Sequence, residues 1–146
     1  MNIVLDTNVL VSGLLSPYGH PAEIIRMISA DELILYYDAR IITEYNEVLS
    51  RPKFKLDQNK VSVLLEYIVQ TGRVVASIPL DKPLPDPDDE IFLEIAISGG
   101  ANCLITGNIG HFPKSLCWKV NILLPRDFLL FYKKSKTKLR DLGRLT

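Results

Sequence analysis

Three acidic residues stand where a folded chain can bring them together. Asp6 ends the apolar run Ile3-Val4-Leu5 and precedes Thr7-Asn8. Glu44 lies among the apolar residues Ile41, Ile42, Tyr45, Val48 and Leu49, whose spacing is helical. Asp89 belongs to the run Asp86-Pro87-Asp88-Asp89-Glu90. Carboxylates from three separate elements, converging on one cleft, suit Mg²⁺ or Mn²⁺ rather than zinc. A divalent ion held that way orients and activates water and stabilises charge on a phosphodiester.

Helical phase separates these acids from their neighbours. At about 100° per residue, the apolar residues of the Glu44 helix centre about 40° beyond Ile41. Glu44 then lies roughly 100° from that centre, at the rim of the buried face, and Glu47 lies about 160° away, facing water. In the third group, Asp89 shares a side with Phe92, Leu93 and Ala96, whereas Glu90 and Glu94 share a polar stripe four residues apart. Asp89 is therefore the acid aimed inward, where a lone carboxylate is costly without a cation or a donor. Asp86 and Asp88 are candidates to support it from behind. Each acid also has a plainer reading. Asp6 is placed to cap a helix, and acids at a helix start are favoured by the macrodipole.

These residues need elements to position them. Residues 2–6 read as a short buried strand, followed by a helix or turn to about residue 15 and a loop at Ser16-Pro17-Tyr18-Gly19. Pro21 opens a helix to about Ser29, and Leu33 to Tyr36 form a strand. Asp38 caps a helix to about Ser50, which Arg51-Pro52 ends. A further helix covers Asn59 to Thr71, stopped by Gly72, and Arg73 to Ser77 form a third strand. After a loop from Pro79 to Asp88, a helix runs from Asp89 to Ser98 and ends at Gly99-Gly100. Strands at 103–106 and 120–124 follow, and Pro125 starts a last helix through Phe131. Alternating strands and helices predict an α/β fold, three layers deep, on a mainly parallel sheet of about five strands. In such folds ligands bind beyond the carboxyl ends of the strands, where Asp6 and Asn108 both fall.

Composition fits one domain with a real core. The chain has 146 residues, 47% hydrophobic and 23% charged. Cys103 and Cys117 lack partners at metal-ligand spacing and read as buried free thiols. There is no basic leader ahead of an apolar run and no stretch near the ~20 apolar residues that span a bilayer, so the expectation is a cytoplasmic protein with no membrane partner. Net charge is zero but uneven. From Lys133 onward stand six basic residues and one acid, so the tail carries +5 and the body −5. Residues 1–132 are expected to form the domain and 133–146 a basic C-terminal tail, either solvated or in contact with phosphate.

The ordered motifs resemble those of the PIN-domain nucleases. Ile3 to Ser12 is similar to that family's first motif. Glu44 within Ile42-Thr43-Glu44-Tyr45, with Val48 to Phe54 after it, resembles the second. Asp86 to Leu93 and Ala101 to Asn108 resemble the third and fourth. Each is weak alone; four in order, over about residues 1 to 130, are specific. The nearest likeness is to the VapC-like toxins of toxin–antitoxin pairs. The resemblance implies a PIN fold and Mg²⁺- or Mn²⁺-dependent cleavage of RNA to 5′-phosphate and 3′-hydroxyl ends. It implies that Asp6, Glu44 and Asp89 are catalytic and hold the metal, with Asn108 as a further ligand and Asn8, Asp86, Asp88 and Thr106 in support. A small antitoxin partner and a homodimer are implied as well. One departure stands out, since the family often has Asp where this chain has Asn108, which brings a carbonyl but no charge.

His111, Arg51 and Lys53 are candidates to touch RNA, with loop and surface roles as the plainer alternative. A phosphatase of the haloacid-dehalogenase type wants a second Asp where Asn8 stands, and no Gly-x-Gly-x-x-Gly or phosphate loop is present. A PIN domain with a decayed site, acting as an RNA- or protein-binding scaffold, is the rival that Asn108 sustains.

Overall fold

The structure, a computed structural model, describes every residue except 116, 118, 119, 145 and 146. Five strands form one sheet: β1 (Asn2–Leu5), β2 (Ile34–Tyr37), β3 (Arg73–Val74), β4 (Cys103–Ile105) and β5 (Asn121–Leu123). Their order is β3-β2-β1-β4-β5, and every pairing is parallel. The central strands carry unbroken apolar runs. Ile3, Val4 and Leu5 are fully buried, as are Cys103, Leu104 and Ile105. Burial of consecutive strand residues requires cover on both faces of the sheet, which gives the expected three layers.

The helices are α1 (Thr7–Leu15), α2 (His20–Ser29), α3 (Ala39–Leu49), α4 (Gln58–Thr71), α5 (Glu90–Gly99) and α6 (Pro125–Arg144). Short 3₁₀ turns occupy Pro52–Phe54, Pro87–Asp89 and Ile109–His111. Asp38 caps α3 as expected, accepting from the Ile41 N–H at 3.0 Å. Gly100 ends α5 in the left-handed conformation (φ +66°) that favours glycine. Gly72 ends α4 for another reason. Its backbone is extended, but a Cβ there would lie 2.5 Å from the Leu35 carbonyl oxygen, so close approach to β2 selects glycine.

Two lengths differ from the sequence reading. β3 is a two-residue, exposed edge strand rather than Arg73 to Ser77, although the Val75 N–H still donates to the Tyr37 carbonyl. The last helix continues past Phe131 to Arg144. Phe128 anchors it in the core, and α6 packs on α2 and over β4 and β5. Lys133 to Arg144 are thus helical, with Lys133, Lys134, Lys136, Lys138 and Arg140 exposed, while the final two residues of the expected tail lie outside the described residues. Among the described residues no helix is long and apolar enough to cross a membrane.

The order of the strands determines where a ligand can sit. From β1 the chain steps outward to β2 and β3, then returns through α5 to β4 on the other side of β1. Connections that leave β1 and β4 in opposite directions open a crevice at the carboxyl ends of these two strands. Asp6 follows β1 and Thr106 follows β4.

Candidate active site

Asp6 occupies the N-cap position of α1, yet its side chain makes no capping hydrogen bond. Its backbone N–H donates to the Ile105 carbonyl at 2.9 Å, which ties the end of β1 to β4. Its Oδ2 accepts from the Thr106 hydroxyl at 2.7 Å and from the Asn8 side-chain amide at 3.3 Å. Thr106 is fully buried and also accepts the Asn108 backbone N–H at 3.0 Å. Asn8 in turn accepts the Gly107 N–H at 3.2 Å. One small network therefore holds Asp6 from below and joins it to the loop after β4. The plainer reading of Asp6 as a helix cap does not describe this arrangement.

Glu44 is half-buried at the rim of α3, as its helical phase predicts, and it accepts a short hydrogen bond from the Thr7 hydroxyl. Glu47 faces water and pairs with Arg51 at 3.5 Å. Beside Glu44, Tyr45 is fully buried, stacks on Phe92 of α5 at 6.4 Å between centroids and donates to the Leu5 carbonyl. That contact seats α3 against the end of β1, next to Asp6.

Asp89 closes the 3₁₀ turn ahead of α5 and is 8% exposed, on the apolar side with Phe92, Leu93 and Ala96. Its Oδ2 lies 3.0 Å from Nδ1 of His111. Asp86 accepts the Asp88 N–H at 2.9 Å and so fixes the turn that presents Asp89.

These elements enclose a cleft of about 340 Å³. Asp6, Asn8, Glu44, Asp88 and Asp89 line it, together with Thr7, Val48, Phe54 and Phe92. Asp86 and Thr106 are not among the lining residues, and Asn108 is exposed, bound to the network through its backbone. The three acids raise one another's affinity for protons. Burial is the largest cause for each, opposed at Asp6 by Thr106 and at Glu44 by Thr7. The charge of Asp89 adds to the rise at Asp6, that of Asp6 to Glu44, and those of Asp86 and Glu44 to Asp89. His111 opposes the rise at Asp89. Among the described residues no lysine or arginine forms an ion pair with Asp6, Glu44, Asp86, Asp88 or Asp89.

Crowded carboxylates without a lysine or arginine partner fit a divalent cation, which removes the repulsion between them. The donors on the cleft are oxygens, the chemistry of Mg²⁺ and Mn²⁺. Among the described residues, the one group of three or more His, Cys, Asp or Glu side chains whose ligand atoms all lie within 4.8 Å of one another is Asp86, Asp89 and His111. Asp6, Glu44 and Asp89 do not themselves form such a group.

Some partners were not legible in the sequence. Thr7 carried no signal beyond its place beside Asp6, and His111 read as an RNA contact or a plain loop histidine, with nothing to pair it with Asp89. Glu94 is a correction: it does not share a solvated stripe with Glu90, but is buried and paired with Arg40 at 2.8 Å. Only the arrival of Arg40 from α3 makes that burial tolerable. Cys103 and Cys117 are buried free thiols as read, and burial pushes Cys103 up to about 12.

Comparison with known proteins agrees with this fold. The model of the PIN domain family matches residues 2–110. An uncharacterized protein of Methanocaldococcus jannaschii is 25% identical over 111 residues, which is 74% of this chain and 71% of the relative. Among solved structures, VapBC2 from Rickettsia felis, bound to a DNA fragment from its promoter, matches with a TM-score of 0.54 at 13% identity. That match covers 85% of this chain and 98% of the other, and it is a likeness of fold.

Proposed function

The chain belongs to the PIN-domain family, and from that premise we propose that it is a metal-dependent endoribonuclease, the toxin of a toxin–antitoxin pair. One observation carries the reading. Asp6, just after β1, Glu44 of α3 and Asp89, at the start of α5, line a single cleft beyond the carboxyl end of β1.

In this reading Asp6, Glu44 and Asp89 would hold Mg²⁺ or Mn²⁺, while Asn108, the further ligand that the resemblance implies, is exposed and lies outside the cleft lining. When bound, the ion supplies Lewis-acid stabilisation of charge on the phosphodiester and activation of water. The chain's own residues do the rest. Thr106 and Asn8 fix the orientation of the Asp6 carboxylate, Thr7 fixes Glu44, and His111 fixes Asp89. Such supports commonly matter 10- to 100-fold, or about that, to a metal site. Lys53 places its ammonium over the ring of Phe54, a cleft residue, at 5.0 Å. It is thereby a candidate contact for the RNA backbone, which the acidic cleft alone would repel.

The decayed-scaffold reading rested on Asn108. Asn108 does not line the cleft, and the support of Asp6 by Thr106 does not depend on a charge at 108. A small antitoxin protein and a second copy of the chain are the proposed partners, and the cytoplasm the proposed location.

Substitution tests the roles. Asp6→Asn, Glu44→Gln and Asp89→Asn should each remove metal-dependent RNA cleavage while the circular dichroism spectrum stays that of the wild type. Full activity in folded Asp6→Asn protein would contradict the assignment.

A further inference from the structure

We propose that Asp86, Asp89 and His111 form a further divalent-cation position with a nitrogen ligand, sharing Asp89 with the three-acid cleft. It deepens the nuclease reading, on which it rests through Asp89.

The donor atoms are already gathered. One carboxylate oxygen each from Asp86 and Asp89 and one ring nitrogen of His111 all lie within 4.8 Å of one another. Two short turns hold them. Asp86 opens the Pro87–Asp89 turn, in which its carbonyl accepts the Asp89 N–H at 3.2 Å and its Oδ1 accepts the Asp88 N–H. That leaves Oδ2 of Asp86 for a ligand. His111 ends the Ile109–His111 turn, with its N–H donating to the Asn108 carbonyl at 3.0 Å. The cluster is also open, because the His111 side chain is 47% exposed while that of Asp89 is 12% exposed.

Charge points the same way. Asp86 and Asp89 repel each other, and His111 is the one basic group among the described residues that pairs with either. A divalent ion neutralises both carboxylates, which a single imidazolium does not. In the Nε2–H tautomer, Nδ1 presents its lone pair, and the cation replaces the Nδ1···Oδ2 hydrogen bond. Three protein ligands leave positions for water or a phosphate oxygen. A mixed nitrogen and oxygen set favours Mn²⁺, Co²⁺ or Zn²⁺ over Mg²⁺.

The test is pulsed electron spin-echo spectroscopy of the Mn²⁺-loaded full chain, with RNA cleavage measured on the same samples. Wild-type protein should show ¹⁴N modulation from a directly bound imidazole. His111→Gln should lose it, with Mn²⁺ bound at least about tenfold more weakly at this position, and Asp6→Asn should keep it. Bound Mn²⁺ without ¹⁴N modulation, modulation that persists in His111→Gln, or no Mn²⁺ binding at millimolar concentration would each overturn the proposal. Metal-dependent cleavage without modulation overturns this position and leaves the nuclease reading standing. Modulation without cleavage does the reverse.

Discussion

The hydroxyl of Thr106 donates to Oδ2 of Asp6 at 2.7 Å, across 100 positions of sequence. Thr106 is fully buried and accepts the Asn108 N–H on its other side. It is the hinge pin between the two strands that flank the crevice. Thr106→Val should therefore lose Asp6 orientation and leave the buried Asp6 carboxylate without its hydroxyl donor, at about 1–3 kcal/mol of stability. Metal affinity should fall about 10- to 100-fold. Thr106→Ser keeps the hydroxyl and should restore affinity. Denaturant melts and Mn²⁺ titrations of the three proteins check this.

The crowding of Asp6, Glu44 and Asp89 gives a pH dependence with a definite sign. Each carboxyl is raised above its ordinary value, first by burial and then by its acidic neighbours. A raised acid contributes stability below its unfolded value, 3.8 for Asp or 4.5 for Glu, and loses that contribution as pH rises through the higher folded value. Metal-free protein should accordingly gain stability from these three groups as pH falls from neutral toward 4.5, and Mg²⁺ or Mn²⁺ should stabilise most at neutral pH. The difference in Tm between wild type and the triple variant Asp6→Asn/Glu44→Gln/Asp89→Asn, with and without Mn²⁺, isolates the effect.

A related outcome concerns Asp6→Asn alone. Replacing a buried, repelled charge by a neutral isostere should raise the Tm of the metal-free protein at neutral pH. A gain of about 1 kcal/mol would appear as about 2–4 °C in a chain of this size. Adding Mn²⁺ should raise the Tm of wild type more than that of the variant. Differential scanning fluorimetry with EDTA and with Mn²⁺ is sufficient.

Arg40 and Glu94 carry a prediction about folding rather than chemistry. Arg40 reaches from α3 to the buried Glu94 at 2.8 Å and to Asp38 at 2.8 Å. Arg40→Met should cost about 1.5–3 kcal/mol by stranding Glu94, discounted toward the lower end because Arg40 is partly exposed. Arg40→Met/Glu94→Gln should recover most of it. Urea melts of the two variants give both numbers, and cleavage per folded molecule should not change.

The acids of the site were legible because two simple signals marked them. Asp6 ends an apolar strand, and helical phase put Glu44 on the rim of α3 and Asp89 against Phe92. The strand and helix order was legible for the same reason: short, mostly apolar runs alternate with longer amphipathic ones. What failed was anything that depends on a distant partner. Glu94 read as part of a polar stripe because Arg40 lies 54 positions earlier in the chain, and His111 read as an RNA contact or a loop histidine because nothing local ties it to Asp89. α6 ran on past Phe131 because its lysines, leucines and arginines are good helix formers even where the buried stripe thins. Gly72 looked like an ordinary helix stop, while its actual constraint is the nearby carbonyl of Leu35.

The central claim is that the cleft around Asp6, Glu44 and Asp89 cuts RNA with a metal. The direct measurement is digestion of labelled RNA and DNA panels by purified protein with Mg²⁺, with Mn²⁺ and with EDTA, beside Asp6→Asn. The account predicts RNA fragments with 5′-phosphate ends that require the metal and disappear with EDTA and in the variant. Folded wild-type protein that binds Mn²⁺ yet leaves every RNA intact, or that cuts equally well in EDTA, would contradict it.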